Sequence, residues 1–260
     1  MKRKLFINCK SGASGDMVLG AFLDLGVSEE TLRNGLDALG VNEFTLDINK
    51  TERNGIEATD VDVILNNKEN ALKHPYSGKY RNYREIREII DNSGLSDRAK
   101  DLTIRIFDIK AAAESKVHGV PEDEVQFHEA GAVDSIVDIA GCAICLDSLD
   151  VDEVISCSVP TGYGTVMCAC GKLPVPAPAV QEILDSTGLP HYRSDIEQEL
   201  LTPTGAAIMA AVADRFDDTA VDKFNDTSEC STFIRMGYGT GKRDTGLDPL
   251  CFILVEEQEV

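Results

Sequence analysis

The sequence predicts an α/β protein, a single domain in which helices flank one mixed sheet. Short apolar runs with strand character alternate with longer stretches in which apolar residues recur at helical spacing. The chain shows no fixed repeat period, and 43% of its residues are hydrophobic, enough for a substantial core. We therefore expect residues 1–260 to form one domain, with the polar residues 66–80 as an inserted loop.

Local patterns define the elements of the first half. In chain order they are a strand at 5–7, helices at 17–25 and 28–40, strands at 46–48 and 61–65, and helices at 82–91 and 96–117. Gly26 is typical of a helix stop, and Ser28 is typical of the residue before a helix. The Asn54-Gly55 pair predicts a turn between the two strands.

The second half continues the alternation. Its predicted elements are a helix from 133, strands at 154–155 and 165–167, a proline-rich extended segment at 174–178, helices at 178–185 and after 202–205, and a strand at 252–255. Proline supports a helix start at Pro178 because its missing N–H costs nothing in the first turn.

Composition excludes several classes of protein. Forty-five acidic against 25 basic residues give a formal charge of −20, which argues against binding to nucleic-acid phosphates. The sequence has neither an apolar run long enough to span a membrane nor a signal-peptide core. Eight cysteines without a secretory signal indicate a reducing compartment. We expect a cytoplasmic protein that binds neither nucleic acid nor membrane, and its oligomeric state stays open.

A loop of small residues, Ser11–Asp16, joins the first strand to the first helix. Backbone N–H groups of such a loop, together with the helix N-terminus, favour an anion. Ser11, Gly12, Ser14 and Gly15 are therefore candidates for binding a phosphate. The alternative is a tight turn in which Ser14 caps the helix and Asp16 faces its dipole.

The densest group of metal-ligand side chains is His128, Glu129, Asp134 and Asp138. The two aspartates are four residues apart, so a helix places them on one face. Their repulsion costs a few tenths of a kcal/mol, which the helix N-terminus offsets at about 0.3–1 kcal/mol per acid. The aspartates alone thus demand no metal, but the adjacent His-Glu pair favours a site over ordinary capping and surface acids.

Two further segments carry candidate ligands. Cys168 and Cys170 would point to the same side of a strand and could hold a soft cation, or they could be small core residues. Gly237–Arg243 is a glycine-rich segment in a half of the chain with seven basic residues. Gly239, Gly241, Lys242 and Arg243 could hold a phosphate, or the segment could be a hairpin turn.

Four segments together resemble the LarC family, the nickel insertion proteins of nickel-pincer nucleotide biosynthesis; they are Ser11–Met17, Phe127–Asp138, Leu173–Ala179 and Leu201–Ala207. The resemblance implies insertion of Ni²⁺ into pyridinium-3,5-bisthiocarboxylic acid mononucleotide, a chelatase or cyclometallase reaction of the lyase class. It also implies use of CTP with Mg²⁺ or Mn²⁺, and a product that serves an apo lactate racemase-type enzyme.

Three departures from the family pattern qualify these expectations. The stretch 66–80 keeps only His74 of a His-rich run, and Cys170 stands where many members have histidine. Full-length members continue into a carboxy-terminal domain associated with CTP. We expect that domain to be absent here and supplied as a separate chain or through a frameshift extension, the present chain being incomplete without it.

The chemistry assigns the candidates to three roles. Phosphate binding falls to the Ser11–Gly15 loop, to Thr204 and Gly205, and to Gly239, Gly241, Lys242 and Arg243. Nickel ligation falls to His128, Glu129, Cys168 and Cys170, with His128 or Glu129 accepting the ring proton. Asp16, Asp134 and Asp138 are the candidates for binding a hard cation. A nickel metallochaperone and a metal-dependent phosphatase remain alternatives.

Overall fold

A computed structural model describes residues 2–66, 81–127, 132–168, 171–220 and 231–257. These residues form seven α-helices, α1 (Gly15–Leu25), α2 (Glu29–Asp37), α3 (Tyr83–Asp91), α4 (Asp97–His118), α5 (Val133–Leu149), α6 (Pro178–Thr187) and α7 (Pro203–Val212). They also form eleven strands, β1 (Lys2–Asn8), β2 (Phe44–Arg53), β3 (Ile56–Leu65), β4 (Glu153–Ser156), β5 (Val159–Pro160), β6 (Thr165–Cys168), β7 (Gly171–Pro174), β8 (His191–Tyr192), β9 (Arg215–Phe216), β10 (Ser231–Thr240) and β11 (Leu250–Glu257). The α/β class is confirmed.

Seven of the strands form one mixed sheet in the order β2-β3-β10-β11-β1-β4-β9. The central strand β11 is antiparallel to both β10 and β1, while β1 and β4 run parallel. Two small two-stranded sheets, β5-β8 and β6-β7, lie outside it. Since β11 is the last strand in sequence and the middle one in space, the sheet is complete only when both ends of the described chain meet.

The core lies mainly on one face of this sheet. Along β11, Phe252 and Leu254 belong to the large apolar cluster shared with the helices, whereas Ile253 and Val255 belong to a smaller cluster. This alternation is what the period of two in a strand requires. The Phe252 ring meets Phe22 of α1 edge-on at a centroid distance of 4.8 Å, which ties that helix to the sheet.

Local signals in the sequence agree with the observed boundaries. The Ser28 side chain accepts a hydrogen bond from the Thr31 N–H at 3.0 Å and caps α2. The backbone at Gly26 is left-handed where α1 ends, and the Asn54-Gly55 turn joins β2 to β3 with positive φ at both residues. Hydrogen bonds within a few residues decide these features, so the sequence predicts them well.

The structure corrects the prediction of a turn in the glycine-rich segment 237–243. Neither a loop nor a hairpin turn begins at Gly237, because residues 231–240 form β10 inside the sheet. A Cβ at Gly239 would collide with the Met17 carbonyl of α1, and one at Gly237 would collide with the Leu25 N–H. These glycines thus allow a helix to lie close to the strand, and they lower the strand propensity that a sequence pattern detects.

Other expectations concern loops, thiols and membranes. The predicted loop 66–80 lies outside the described residues except for Asn66. Five of the described cysteines are buried free thiols, namely Cys9, Cys142, Cys145, Cys157 and Cys251. Within the described ranges, we find no helix with both the length and the apolar character needed to cross a membrane.

Candidate functional site

A cavity of about 360 Å³ opens where α1, α5 and α7 begin. We call it the three-helix pocket; its polar lining includes Ser11, Ser14, Asp16, Arg53, Asp62, Asp134, Ser135, Asp138, Glu199, Thr202, Thr204, Lys242 and Arg243. A helix N-terminus carries a partial positive charge and N–H groups without a partner inside the helix. Some of those groups are already accounted for here, since Pro203 of α7 has no N–H and the Gly205 N–H donates to Thr202 Oγ1 at 3.1 Å. Three helix N-termini around one cavity favour an anionic ligand, and the volume lies in the range of small-molecule sites.

The loop before α1 forms one wall of the pocket. Gly12 has a φ of 99°, and its N–H donates to the Cys9 carbonyl at 2.8 Å, which makes the tight turn. Ala13 then joins the loop before α7, since its N–H donates to the Leu200 carbonyl at 2.9 Å. The two loops therefore hold the starts of α1 and α7 side by side.

Asp16 is held at the first turn of α1. Its carboxylate accepts hydrogen bonds from the Ser14 hydroxyl and, at 2.9 Å, from the Met17 N–H. Ser14 precedes the helix as expected, but its hydroxyl bonds to Asp16 and makes no capping bond to the backbone. Burial raises the pKa of the Asp16 carboxyl above its usual value, although the Ser14 and Met17 hydrogen bonds oppose the shift.

Asp134 and Asp138 both line the pocket from α5, as their four-residue spacing predicted. The Asp138 carboxylate rests against Gly15, where a Cβ would collide with it. Gly15 therefore has a steric reason to be glycine: its missing side chain lets a carboxylate of α5 approach the N-terminus of α1. This contact places Asp138 beside Asp16, and Asp134 reaches the same cavity from the start of α5.

Two basic residues of the pocket, Lys242 and Arg243, already have acidic partners. Lys242 Nζ lies 2.6 Å from Asp62 Oδ1 and 3.1 Å from Asp60 Oδ1, and Arg243 Nη1 lies 2.7 Å from Glu199 Oε2. Lys242 and its partner Asp62 are both about half-exposed, and such pairs contribute little stability, so a phosphate can compete for Lys242. Arg243 is half-exposed as well, but its partner Glu199 is buried.

Arg53 adds a cation that the sequence did not suggest. It ends β2 and lines the pocket, and its buried Nε has no hydrogen-bond partner among the described residues. A buried donor without an acceptor costs free energy, which an anionic ligand would recover. No motif marks Arg53, because only the pairing of β2 with β3 brings it to the cavity.

Lys110 is the second residue that sequence reasoning missed. It is buried in α4 behind the pocket and donates to Ser135 Oγ at 2.6 Å and Thr204 Oγ1 at 2.9 Å. Both hydroxyls line the cavity. In the sequence Lys110 looks like one more surface lysine on a long helix, and only its position against α5 and α7 sets it apart.

Four predicted site residues are described but lie off the pocket lining. Gly12, Gly205 and Gly239 pack against backbone, since a Cβ on them would meet Leu200, Ala13 or Met17. Cys168 ends β6 in the β6–β7 hairpin, where its thiol donates to the Gly171 carbonyl at 3.3 Å. Gly241, by contrast, lines the pocket, close to Asp16.

Apart from Cys168, the structure does not describe the predicted nickel ligands. His128, Glu129 and Cys170 lie outside the described residues. Among the side chains that the structure describes, no three His, Cys, Asp or Glu residues are grouped to hold a metal ion. Asp16, Asp134 and Asp138 thus share a cavity without forming a ready three-carboxylate site.

Fold and pocket together define an α/β ligand-binding protein whose site combines helix N-termini, carboxylates and basic side chains. The chain belongs to the nickel insertion protein family, since that family's sequence profile matches residues 5–259. This confirms the resemblance to the LarC family.

Several curated relatives are similar over nearly the whole chain. Pyridinium-3,5-bisthiocarboxylic acid mononucleotide nickel insertion proteins of Acetivibrio thermocellus and Alkaliphilus metalliredigens are 43% and 42% identical, each over 94% of this chain and 58% of the relative. The protein of the same name from Geobacillus kaustophilus is 39% identical over 98% of this chain and 60% of the relative. The chain thus spans about three fifths of their length. No solved structure matches it significantly.

Proposed function

We propose that this chain binds pyridinium-3,5-bisthiocarboxylic acid mononucleotide in the three-helix pocket and takes part in inserting Ni²⁺ into it. The observation that carries the proposal is the meeting of three helix N-termini and three aspartates in one cavity. A phosphorylated ligand that travels with a divalent cation needs both features. The names of the relatives supply the identity of that ligand.

The phosphate of the nucleotide is proposed to lie at the N-termini of α1, α5 and α7. There it would accept hydrogen bonds from backbone N–H groups and from the Ser11 and Thr204 hydroxyls, whose residues line the pocket. Arg53 and Arg243 stand at the same cavity to balance its charge.

A Mg²⁺ or Mn²⁺ ion is proposed to bridge this phosphate to Asp16, Asp134 or Asp138. The described acids do not form a three-ligand group by themselves. That arrangement suits Mg²⁺, which keeps waters and is usually bound through one or two carboxylates plus substrate phosphate. The ion and the phosphate would then each complete the site of the other.

Nickel is proposed to enter through His128, Glu129, Cys168 and Cys170. Phe127, the residue before His128, is buried against Lys110, which bonds to the pocket wall, and Val133 begins α5. The described residues that flank the His-Glu segment are thus Phe127, which contacts the lysine behind the pocket, and Val133, which precedes the lining residue Asp134. Forming the nickel–carbon bond releases one ring proton, and His128 or Glu129 would accept it.

CTP use, the lactate racemase-type recipient and the lyase assignment belong to the same proposal. The relatives are longer than this chain, so CTP use is assigned to the region that the matched stretch does not cover. On this assignment, CTP alone would not raise the melting temperature of the present chain.

The test is direct. The chain is incubated anaerobically with Ni²⁺, Mg²⁺ and the thiolated pyridinium mononucleotide, with and without CTP and a relative's remaining region in trans. The expected result is a product whose mass shows nickel gained and one proton lost, with the matching change in absorbance. Bound nickel without product in every arm would indicate a metallochaperone, and released inorganic phosphate would indicate a phosphatase.

A further inference from the structure

Lys110 is an unusual residue for the interior of a helical layer. Only 3% of it is exposed, its ammonium donates to the Ser135 and Thr204 hydroxyls, and it stands 5.1 Å from the centroid of the Phe127 ring. Among the described residues, no carboxylate forms an ion pair with it. A buried ammonium held only by neutral groups is costly, and an anion placed nearby would offset that cost.

The hydroxyl groups of Ser135 and Thr204 each have a hydrogen that is not used in the bonds to Lys110. An ammonium only donates, so both hydroxyls must act as acceptors toward Lys110. Each hydroxyl also carries one hydrogen of its own, and within the described part of the chain neither has an acceptor for it. Ser135 and Thr204 are only 2% and 5% exposed, and both are among the residues that line the pocket.

Ser135 and Thr204 both lie in the first turns of their helices, next to the pocket. Ser135 belongs to α5 and Thr204 to α7, and both line the cavity. The lysine thus joins two of the three helix N-termini from behind. Asp134 and Asp138 face the same space from α5, so an anion at the hydroxyls would lie next to the acids proposed to share its cation.

We propose that Lys110 is a positioning residue for the phosphate group of the ligand. By occupying an acceptor site on Ser135 and Thr204, it turns both O–H groups toward the pocket, where they donate to phosphate oxygens. Its charge adds to the field of the α5 and α7 N-termini without touching the ligand. This inference rests on the proposed function, and it identifies Ser135 as a ligand contact and Lys110 as its support.

The experiment compares Lys110→Met with the wild-type chain by calorimetry. The probes are the pyridinium mononucleotide, the corresponding nucleoside without phosphate, and inorganic phosphate. Charge-assisted hydrogen bonding predicts that the variant binds the mononucleotide about 10- to 100-fold more weakly. Nucleoside binding should stay unchanged, and a purely structural role for Lys110 would instead weaken both.

Ser135→Ala and Thr204→Val keep the test decisive if Lys110→Met folds poorly, because each removes one donor and nearly preserves volume. Their losses should not add to that of Lys110→Met, since all three act on one subsite. Lys116→Met, on the exposed side of the same helix, is the matched control and should bind as the wild type does.

The outcomes separate the two proposals. Equal mononucleotide affinity in wild type and Lys110→Met would overturn the role of Lys110 and leave the proposed function standing. Phosphate binding that depends on Lys110, without binding of the pyridinium nucleotide, would support the subsite and overturn the proposed ligand. A wild-type chain that binds none of the three probes would overturn both.

Discussion

Several pocket residues are buried at a cost in free energy that the fold alone does not explain. Asp16 loses solvent at the start of α1, and Arg53 has a buried Nε without a partner among the described residues. Lys110 is buried behind two hydroxyls. Opposite charges are thus desolvated around one cavity, where a bound phosphate and its cation would satisfy them together. Such local costs are typical of binding sites.

Asp16 provides a test at this scale. Its pKa is raised by burial, so between the usual and the raised value the folded state binds more protons than the unfolded state. The free energy of unfolding therefore falls as pH rises through that window, and the cost persists at neutral pH. Asp16→Asn cannot ionise, so it should be as stable as the wild type or more stable at neutral pH.

Urea unfolding at a series of pH values, from just below the usual carboxyl pKa of 3.8 up to neutral pH, measures this difference. Asp101→Asn, an exposed aspartate on α4, is the control and should follow the wild-type pH dependence. If Asp16→Asn proved clearly less stable near pH 7, the carboxylate would be a structural anchor, and its place in a cation site would lose support.

At the scale of elements, the position of α1 decides the pocket. This helix carries Asp16 and lies against β10, where Gly237 and Gly239 leave room for its backbone. The sequence pattern found α1 itself, because its apolar spacing is local. It did not find β10, because the glycines that permit the close approach also remove the strand signal.

Gly239→Ala tests that contact. The new methyl group would collide with the Met17 carbonyl, so α1 must shift outward, and overpacking of this kind costs about 1–3 kcal/mol of stability. Because Asp16 moves with the helix, ligand binding should weaken as well. Thermal unfolding and calorimetry with the pyridinium mononucleotide measure the two effects.

Gly94→Ala is the matched control, since its methyl group would meet only Ala38 Cβ at an ordinary 3.4 Å. It should change stability by less than about 0.5 kcal/mol. Equal behaviour of the two variants would mean that the β10 glycines do not govern the packing of α1.

At the scale of the whole molecule, the pocket should couple two ligands. Carboxylates from α1 and α5 and helix N-termini from α1, α5 and α7 surround one space. A divalent cation should therefore increase affinity for the phosphorylated ligand, and that ligand should increase affinity for the cation by the same factor. The melting temperature should rise more with both than the two separate shifts predict.

The double variant Asp134→Asn/Asp138→Asn should keep its fold and lose most of this coupling, because each amide offers the cation one neutral oxygen in place of a charged carboxylate. Scanning calorimetry with Mg²⁺, with the nucleotide and with both measures it. Glu122→Gln/Asp123→Asn, a pair of exposed acids, is the control for net charge. If the coupling were undiminished in the pocket variant, Asp134 and Asp138 would not bind the cation and would be ordinary acids near a helix N-terminus.

Much of the site was within reach of the sequence. Ser11, Ser14, Gly15, Asp16, Asp134, Asp138, Thr204, Gly241, Lys242 and Arg243 were candidates, and all line the pocket. They stand in short segments where small residues, acids or prolines meet a helix start, and such chemistry is local. Gly12, Gly205 and Gly239 were candidates of the same kind, but they serve backbone packing, which a local pattern cannot distinguish from ligand contact.

The sequence by itself determined the α/β class, the positions of the helices, a few helix ends such as Gly26 and Ser28, the helix-start loops and the family. Those features depend on hydrogen bonds and apolar periodicity within a few residues of one another. Only the tertiary structure decided that α1, α5 and α7 begin at one cavity, that β10 fills the sheet between β3 and β11, and that Arg53 and Lys110 reach the pocket. These outcomes depend on contacts between distant residues, such as Lys110 with Thr204 or Gly239 with Met17, whose energy arises only when the helices pack on the sheet.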